Sequence, residues 1–151
     1  MMNYIKKDIT TIVGPAVILH GVNCKRTMSS GVAKALFTRW PNVREEYMNF
    51  VEEEMTLGKV APVKVGDSLY VINCWTQEDY GYDNKSYANP AAIKDCLAAS
   101  AKFCNQIQIK NIYMPRIGCG LGGLNWERDV QPLIAKIEQK NADLSFTICD
   151  F

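Results

Sequence analysis

Four glycines fall within six positions at Gly118-Cys119-Gly120-Leu121-Gly122-Gly123, directly after the apolar run Ile109–Pro115 and ahead of a helical pattern that begins near Trp126. Glycine lets backbone N–H groups approach a ligand closely. A helix N-terminus adds partial positive charge, so a strand, a glycine turn and a helix in succession make an anion site, most often for phosphate. A turn that only reverses the chain rarely needs this many glycines. The run also matches G-x-G-x-x-G through Gly118, Gly120 and Gly123. In dinucleotide-binding domains that fingerprint opens the first βαβ unit. Here only one helix and one strand follow it, which argues against NAD-dependent dehydrogenase chemistry. No G-x-x-x-x-G-K-[ST] segment occurs, so a P-loop is excluded.

The rest of the chain supplies the α/β frame this turn needs. Short segments rich in β-branched and apolar residues predict strands at Asn3–Lys6, Ala16–Val22, Val60–Val65, Ser68–Cys74, Ile109–Pro115 and Leu144–Cys149. Gly66-Asp67 is the expected hairpin turn between the third and fourth. The 3.6-residue period marks four helices. Val32, Leu36 and Trp40 line the first, stopped by Pro41. Val43, Tyr47, Phe50 and Val51 line the second. Ile93, Leu97, Ser100, Ala101 and Cys104 line the third, opened by Asn89 as N-cap and Pro90. Trp126, Val130, Leu133, Ile134 and Ile137 line the fourth, with Asn125 as the cap. Alternating strands and helices predict helices on both faces of a mixed sheet.

A second strand-to-helix turn, Asn23-Cys24-Lys25-Arg26-Thr27-Met28-Ser29-Ser30-Gly31-Val32, is also polar and contains glycine. Ser29 and Ser30 either cap the following helix or donate hydroxyls to a phosphate. Two such loops at the carboxyl ends of strands fit the ligand crevices of open α/β sheets, and two loops suit a diphosphate. A third segment, Thr76 to Ala88, reads as the longest loop. It carries Tyr80, Tyr82 and Tyr87, which either close over a site or pack on the surface.

Composition narrows the partners. The chain has 151 residues, a length that predicts one domain over 1–151. Its net charge of +1 gives no strong footprint for duplex nucleic acid, although Lys6, Lys7, Lys25 and Arg26 leave a local basic patch open. No run approaches the ~18 apolar residues of a membrane span, and the N-terminus lacks a signal-peptide core. The six cysteines form no C-x-x-C pair and one histidine accompanies them, so no metal site is expected. They read as buried thiols in a reducing cytoplasm. A monomer is expected.

The segments ILHGVNCKRTMSSGVAKAL and MPRIGCGLGGLNWE together resemble the macro domain family. Within it they are most similar to the branch of small ADP-ribose-1″-phosphate phosphatases, terminal ADP-ribose glycohydrolases and antitoxin-type DNA de-ADP-ribosylases. The similarity runs from Asp8 to Phe151. It implies a three-layer α/β/α fold around a central mixed β-sheet, with a deep cleft for ADP-ribose or ADP-ribose 1″-phosphate and no cofactor. By this resemblance Asp8 hydrogen-bonds the adenine amine and Ile9 adds a backbone contact, with Lys7 standing where the family usually has glycine. Asn23 holds the distal ribose. Ser29, Ser30, Gly31 and Val32 form the first phosphate loop. Ile117, Gly118, Cys119, Gly120, Leu121 and Gly122 form the second. Phe151 either stacks on adenine or caps the core.

The resemblance also sorts the chemistry. Terminal glycohydrolases of this branch use a lysine on the strand before the long loop and an aspartate in the second phosphate loop. Here those stretches read Ile72-Asn73-Cys74-Trp75-Thr76 and Gly122, so a lysine adduct is not expected. His20-x-x-Asn23 resembles the phosphatase branch. An imidazole titrating near neutrality suits proton transfer, and His20 with Asn23 is the expected catalytic pair, with a strand histidine held by a backbone partner as the alternative. The expected reaction is hydrolysis of ADP-ribose 1″-phosphate to ADP-ribose and phosphate. Release of ADP-ribose from modified protein or nucleic acid, or binding without turnover, are the alternatives. Asp79 and Asp83 are either further bases or, as the simpler reading, solvated loop carboxylates, and Cys119 reads as a small buried side chain.

Overall fold

The computed structural model describes residues 2–29, 31–81 and 87–151. Among them, six strands form one sheet: β1 (Asn3–Lys6), β2 (Ala16–Asn23), β3 (Val60–Gly66), β4 (Leu69–Gln77), β5 (Asn111–Met114) and β6 (Ser145–Asp150). Their order is β1-β6-β5-β2-β4-β3. Every neighbouring pair is parallel except β3 with β4. All five parallel strands therefore end at one edge of the sheet. β3 closes a flank and carries Pro62, a residue that cannot donate to a ladder and is tolerated at edges.

Both faces of the sheet are covered, as parallel strands require. One face packs Val17, Leu19, Ile72, Ile112 and Phe146 against α3 (Pro90–Ile107) and α4 (Gln131–Lys140). The other packs Ile18, Val22, Val71 and Trp75 against α1 (Gly31–Arg39) and α2 (Asn42–Asn49). The expected three-layer α/β/α arrangement with a mixed sheet is what forms. Among the described residues no helix is long and apolar enough to cross a membrane.

Local signals explain the helix boundaries. The Asn89 side chain accepts the Ala92 N–H at 3.1 Å, and Pro90 opens α3. Asn125 accepts the Arg128 N–H at 2.8 Å, while Asp129 Oδ2 reaches back to the Asn125 N–H at 2.8 Å. This reciprocal cap starts a wide turn, Trp126–Val130, that feeds α4. The Arg128 guanidinium beside Asp129, with the Asn125 N–H, holds that carboxyl down to about 2.

Several details differ from the sequence reading, among them a shorter fifth strand, Asn111–Met114 where Ile109–Pro115 is expected. The hairpin turns on Asp67 and Ser68, because Gly66 still pairs with Leu69. Phe50 and Val51 lie beyond α2: Phe50 is its C-cap, and Val51 is 53% exposed. β4 runs on to Gln77, because β2 continues beside it to Asn23.

Candidate functional site

At the edge where the parallel strands end, a cleft of about 380 Å³ opens between α1 and the glycine run. It brings together His20, Asn23, Ser29, Gly31, Val32, Ile117, Gly118, Gly120, Leu121 and Gly122, residues spread over a hundred positions of sequence. Ser30 lies outside the described residues, as do Tyr82 and Asp83.

The glycine run forms one wall. Gly118 has φ +79°, and a Cβ there would stand 3.0 Å from Ile93 and Leu124 side-chain carbons. At Gly122 a Cβ would meet the Gly118 carbonyl oxygen at 2.6 Å. Both glycines are thus required by the turn, which closes on itself through Leu124 N–H to Gly118 O (2.9 Å) and Gly123 N–H to Gly120 O (3.1 Å). Among the described residues nothing accepts from the N–H groups of Gly118, Gly120, Leu121 or Gly122. Successive free N–H groups of this kind make a concavity for an anion. The Gly122 carbonyl takes the N–H groups of Tyr87 (2.9 Å) and Ala88 (3.1 Å), which seats the end of the long loop on this wall.

The opposite wall is the turn from β2 into α1. Gly31, Val32 and Ala33 line the cleft with the first turn of α1, whose N–H groups have no partner within the helix. The segment before them is built on Asn23. Its Oδ1 accepts the N–H groups of Lys25 (2.9 Å) and Thr27 (3.3 Å), and its Nδ2 donates to Thr27 O (2.8 Å). The Tyr47 hydroxyl sits 2.7 Å from the Asn23 carbonyl oxygen and 2.9 Å from its Oδ1. The Asn23 amide, expected to hold a ribose, thus spends most of its bonding capacity on shaping the turn.

His20 is 1% exposed, on the α2 side of the sheet. Its Nε2 lies 2.5 Å from Asn73 Oδ1, and Asn73 Nδ2 donates to Val43 O at 3.2 Å. That second bond turns the Asn73 oxygen toward the imidazole, so the ring proton sits on Nε2 and Nδ1 is an acceptor. Nδ1 is buried with no partner among the described residues. Burial outweighs the Asn73 contact and lowers the imidazole to about 4. His20 is neutral at neutral pH, and what holds it is a side-chain amide, where the alternative in the sequence reading was a backbone group.

The remaining expectations separate. Asp8 caps the turn Ile9–Thr11: its Oδ1 accepts the Thr10 N–H (2.9 Å) and hydroxyl (2.7 Å), bonds that lower its carboxyl. Asp8, the buried Ile9 and the 93% exposed Phe151 share the cleft's edge of the sheet but do not line the cleft. Cys119 also points away: its thiol lies 3.5 Å from Ile117 O, and burial raises it, so it stays protonated at neutral pH. It is half-buried, where a buried side chain was expected.

Several lining residues had no assigned role. Gly21 lies inside β2, where a Cβ would meet Thr76 Oγ1 at 2.5 Å; a glycine within a strand pattern is the signal for such close approach. Thr76, Gln77 and Tyr80 continue the wall from β4. Arg116 reaches the cleft with its charge already paired. It donates to Asp150 through Nε (2.9 Å) and a terminal nitrogen (3.2 Å) and lies over the Tyr4 and Trp126 rings at 5.3 and 5.4 Å. No Asp, Glu or Lys is among the described lining residues. No three His, Cys, Asp or Glu side chains converge on a possible metal position among the described residues.

Comparison with known proteins gives a consistent picture. The family profile of the macro domain matches residues 19–133. An uncharacterised 17.5 kDa protein from the tk-vs intergenic region of Enterobacteria phage T4 is 33% identical over 135 residues, 84% of each chain. The DNA ADP-ribosyl glycohydrolase of Mycobacterium tuberculosis is 26% identical over 126 residues, which cover 81% of this chain and 35% of that enzyme. This chain therefore spans about a third of that relative. Among solved structures, a protein of unknown function from Bacteroides thetaiotaomicron superposes with a TM-score of 0.86 at 31% identity, covering 100% of this chain and 98% of that one.

Proposed function

The chain belongs to the macro domain family, and from that premise we propose that its cleft binds ADP-ribose and that the protein hydrolyses a bond at C1″ of the distal ribose. One observation carries the binding reading. Four unclaimed N–H groups at Gly118, Gly120, Leu121 and Gly122 share a cleft with the first turn of α1, and among the described lining residues no carboxylate repels an anion. In this reading the diphosphate lies between the two walls. The distal ribose lies toward Asn23 and the adenine toward Asp8 and Phe151.

Hydrolysis adds water across the bond. The water oxygen bonds to C1″, the leaving group departs, and the water proton ends on it. His20 borders this step as a neutral imidazole: its Nδ1 is an unpaired acceptor beneath the cleft surface, reached by water or a ribose hydroxyl only if the covering atoms shift, and it holds no extra proton to donate above about pH 4. Asn23 contributes by fixing the turn beneath the ribose.

Two leaving groups are in play. The mycobacterial relative's activity favours ADP-ribose attached to nucleic acid. The lack of a carboxylate among the described lining residues and His20-x-x-Asn23 favour ADP-ribose 1″-phosphate. Phosphorus NMR on the protein with ADP-ribose 1″-phosphate, run beside an ADP-ribosylated oligonucleotide followed by mass spectrometry, separates them. Growth of inorganic phosphate supports the phosphatase. Loss of ADP-ribose from the oligonucleotide alone supports the glycohydrolase. Shifted diphosphate signals with neither turnover would reduce the protein to a binding module, and unshifted signals would overturn the cleft assignment.

A further inference from the structure

The first loop contains a backbone conformation its sequence does not invite. Arg26 has φ +53°, in the left-handed region where a Cβ is unfavourable. Its guanidinium leaves the cleft and donates to two carbonyls at the end of α2, those of Met48 and Phe50, the latter at 2.6 Å. The last carbonyls of a helix lack intrahelical partners and carry partial negative charge, so a guanidinium there is well matched. In the same last turn of α2, the fully buried Tyr47 places its hydroxyl between the carbonyl and Oδ1 of Asn23. Arg44, from the same helix, donates to Met28 O at 3.2 Å.

The helix end is itself fixed. Tyr47 and Phe50 rest against Trp75, with ring centroids 5.8 and 4.7 Å away, and Trp75 precedes the cleft residues Thr76 and Gln77 in β4. Neither Arg26 nor Tyr47 lines the cleft, whereas Asn23, bonded to Tyr47, and Thr27 and Met28, which follow Arg26 in the same turn, all do.

We propose that Arg26 and Tyr47 are positioning residues: they clamp the turn from β2 to α1 onto the end of α2, so that this wall of the cleft is formed before ligand arrives. The functional half of the inference rests on the ADP-ribose reading. A preformed wall spares the ligand the cost of ordering the loop, so losing the clamp weakens binding without removing any contact to the ligand.

Arg26→Gly is the discriminating variant. Glycine accepts φ +53° freely, so it relieves the backbone while deleting the clamp. The expected result is about a tenfold loss of ADP-ribose affinity by calorimetry, with faster amide exchange at residues 24–28. Tyr47→Phe should show a smaller loss in the same direction. Ile134→Val, in the core on the opposite face of the sheet, supplies the control: it lowers Tm without lowering affinity. Wild-type affinity in Arg26→Gly would overturn the functional half. If the wild-type protein itself fails to bind ADP-ribose, the ligand reading falls and the exchange data still judge the clamp. Unchanged exchange at residues 24–28 in Arg26→Gly would then overturn it.

Discussion

The two walls of the cleft reach similar ends by different means. The glycine wall is shaped by backbone alone: absent side chains let Gly118 and Gly122 approach each other, and short main-chain bonds close the turn. The wall before α1 is shaped by side chains, with Asn23 folding the turn from within and Arg26 and Tyr47 fastening it to α2. A backbone-made wall fails when atoms are added. A side-chain-made wall fails when atoms are removed.

Adding atoms to the glycine wall gives the sharpest test. Gly122→Ala should push the Gly118 carbonyl off the Leu124 N–H, cost about 1–3 kcal/mol of stability by overpacking, and weaken ADP-ribose binding roughly a hundredfold as the N–H groups lose alignment. Denaturant melts and calorimetry on the same variant would show both effects. Near-normal affinity would mean that this wall does not hold the diphosphate.

Acid should act through the strand that feeds the other wall. His20 has an ordinary value of 6.5 and is lowered to about 4 in the fold. The unfolded chain gains its proton below 6.5, and the folded chain waits until about 4. Stability from this group is therefore intact above 6.5 and falls as pH drops from 6.5 to 4, by roughly 3 kcal/mol. Urea titrations of the wild type and His20→Gln across that window should diverge by this amount, and parallel curves would show that the imidazole is not held neutral.

A milder change separates shape from contact. Nothing lies within 4 Å of a Cβ built at Gly120, so Gly120→Ala should leave Tm unchanged. If the ligand covers this position, affinity should fall about fivefold, near 1 kcal/mol. Unchanged affinity would place the ligand away from Gly120.

Salt should have the smallest effect. Arg26 faces α2 and Arg116 is paired with Asp150, so among the described residues the proposed anion site on both walls is made of N–H dipoles at short range. ADP-ribose affinity should shift less than about threefold between roughly 50 and 500 mM salt, because screening acts mainly on exposed charges at long range. A steep slope by titration calorimetry would reveal a cation that the two walls do not account for.

How much of this was legible follows from the same contrast. The glycine wall announces itself, since Gly118 and Gly122 are needed for reasons local to the turn. The alternating elements and the buried faces of β2 and β4 were readable from apolar runs for the same local reason. The clamp is not local. Tyr47 reads as a core residue of α2 and is one, fully buried, yet its hydroxyl does a second job on a turn far away in sequence. Arg26 reads as part of a basic patch, and only tertiary structure shows its charge spent on a helix end. His20 reads as a candidate from the H-x-x-N pattern and lines the cleft, but the amide that holds its ring is Asn73, a neighbour supplied by strand register.

The sheet order carries a consequence for how the molecule comes into being. Among the described residues β1 pairs only with β6, and Asp150 at the end of β6 braces Arg116 ahead of the glycine wall. On the ribosome, β1 must wait unpartnered until β6 has emerged. The clamp on α2 needs nothing beyond Phe50, whereas the brace at Arg116 needs Asp150, so one side of the cleft can be assembled long before the other.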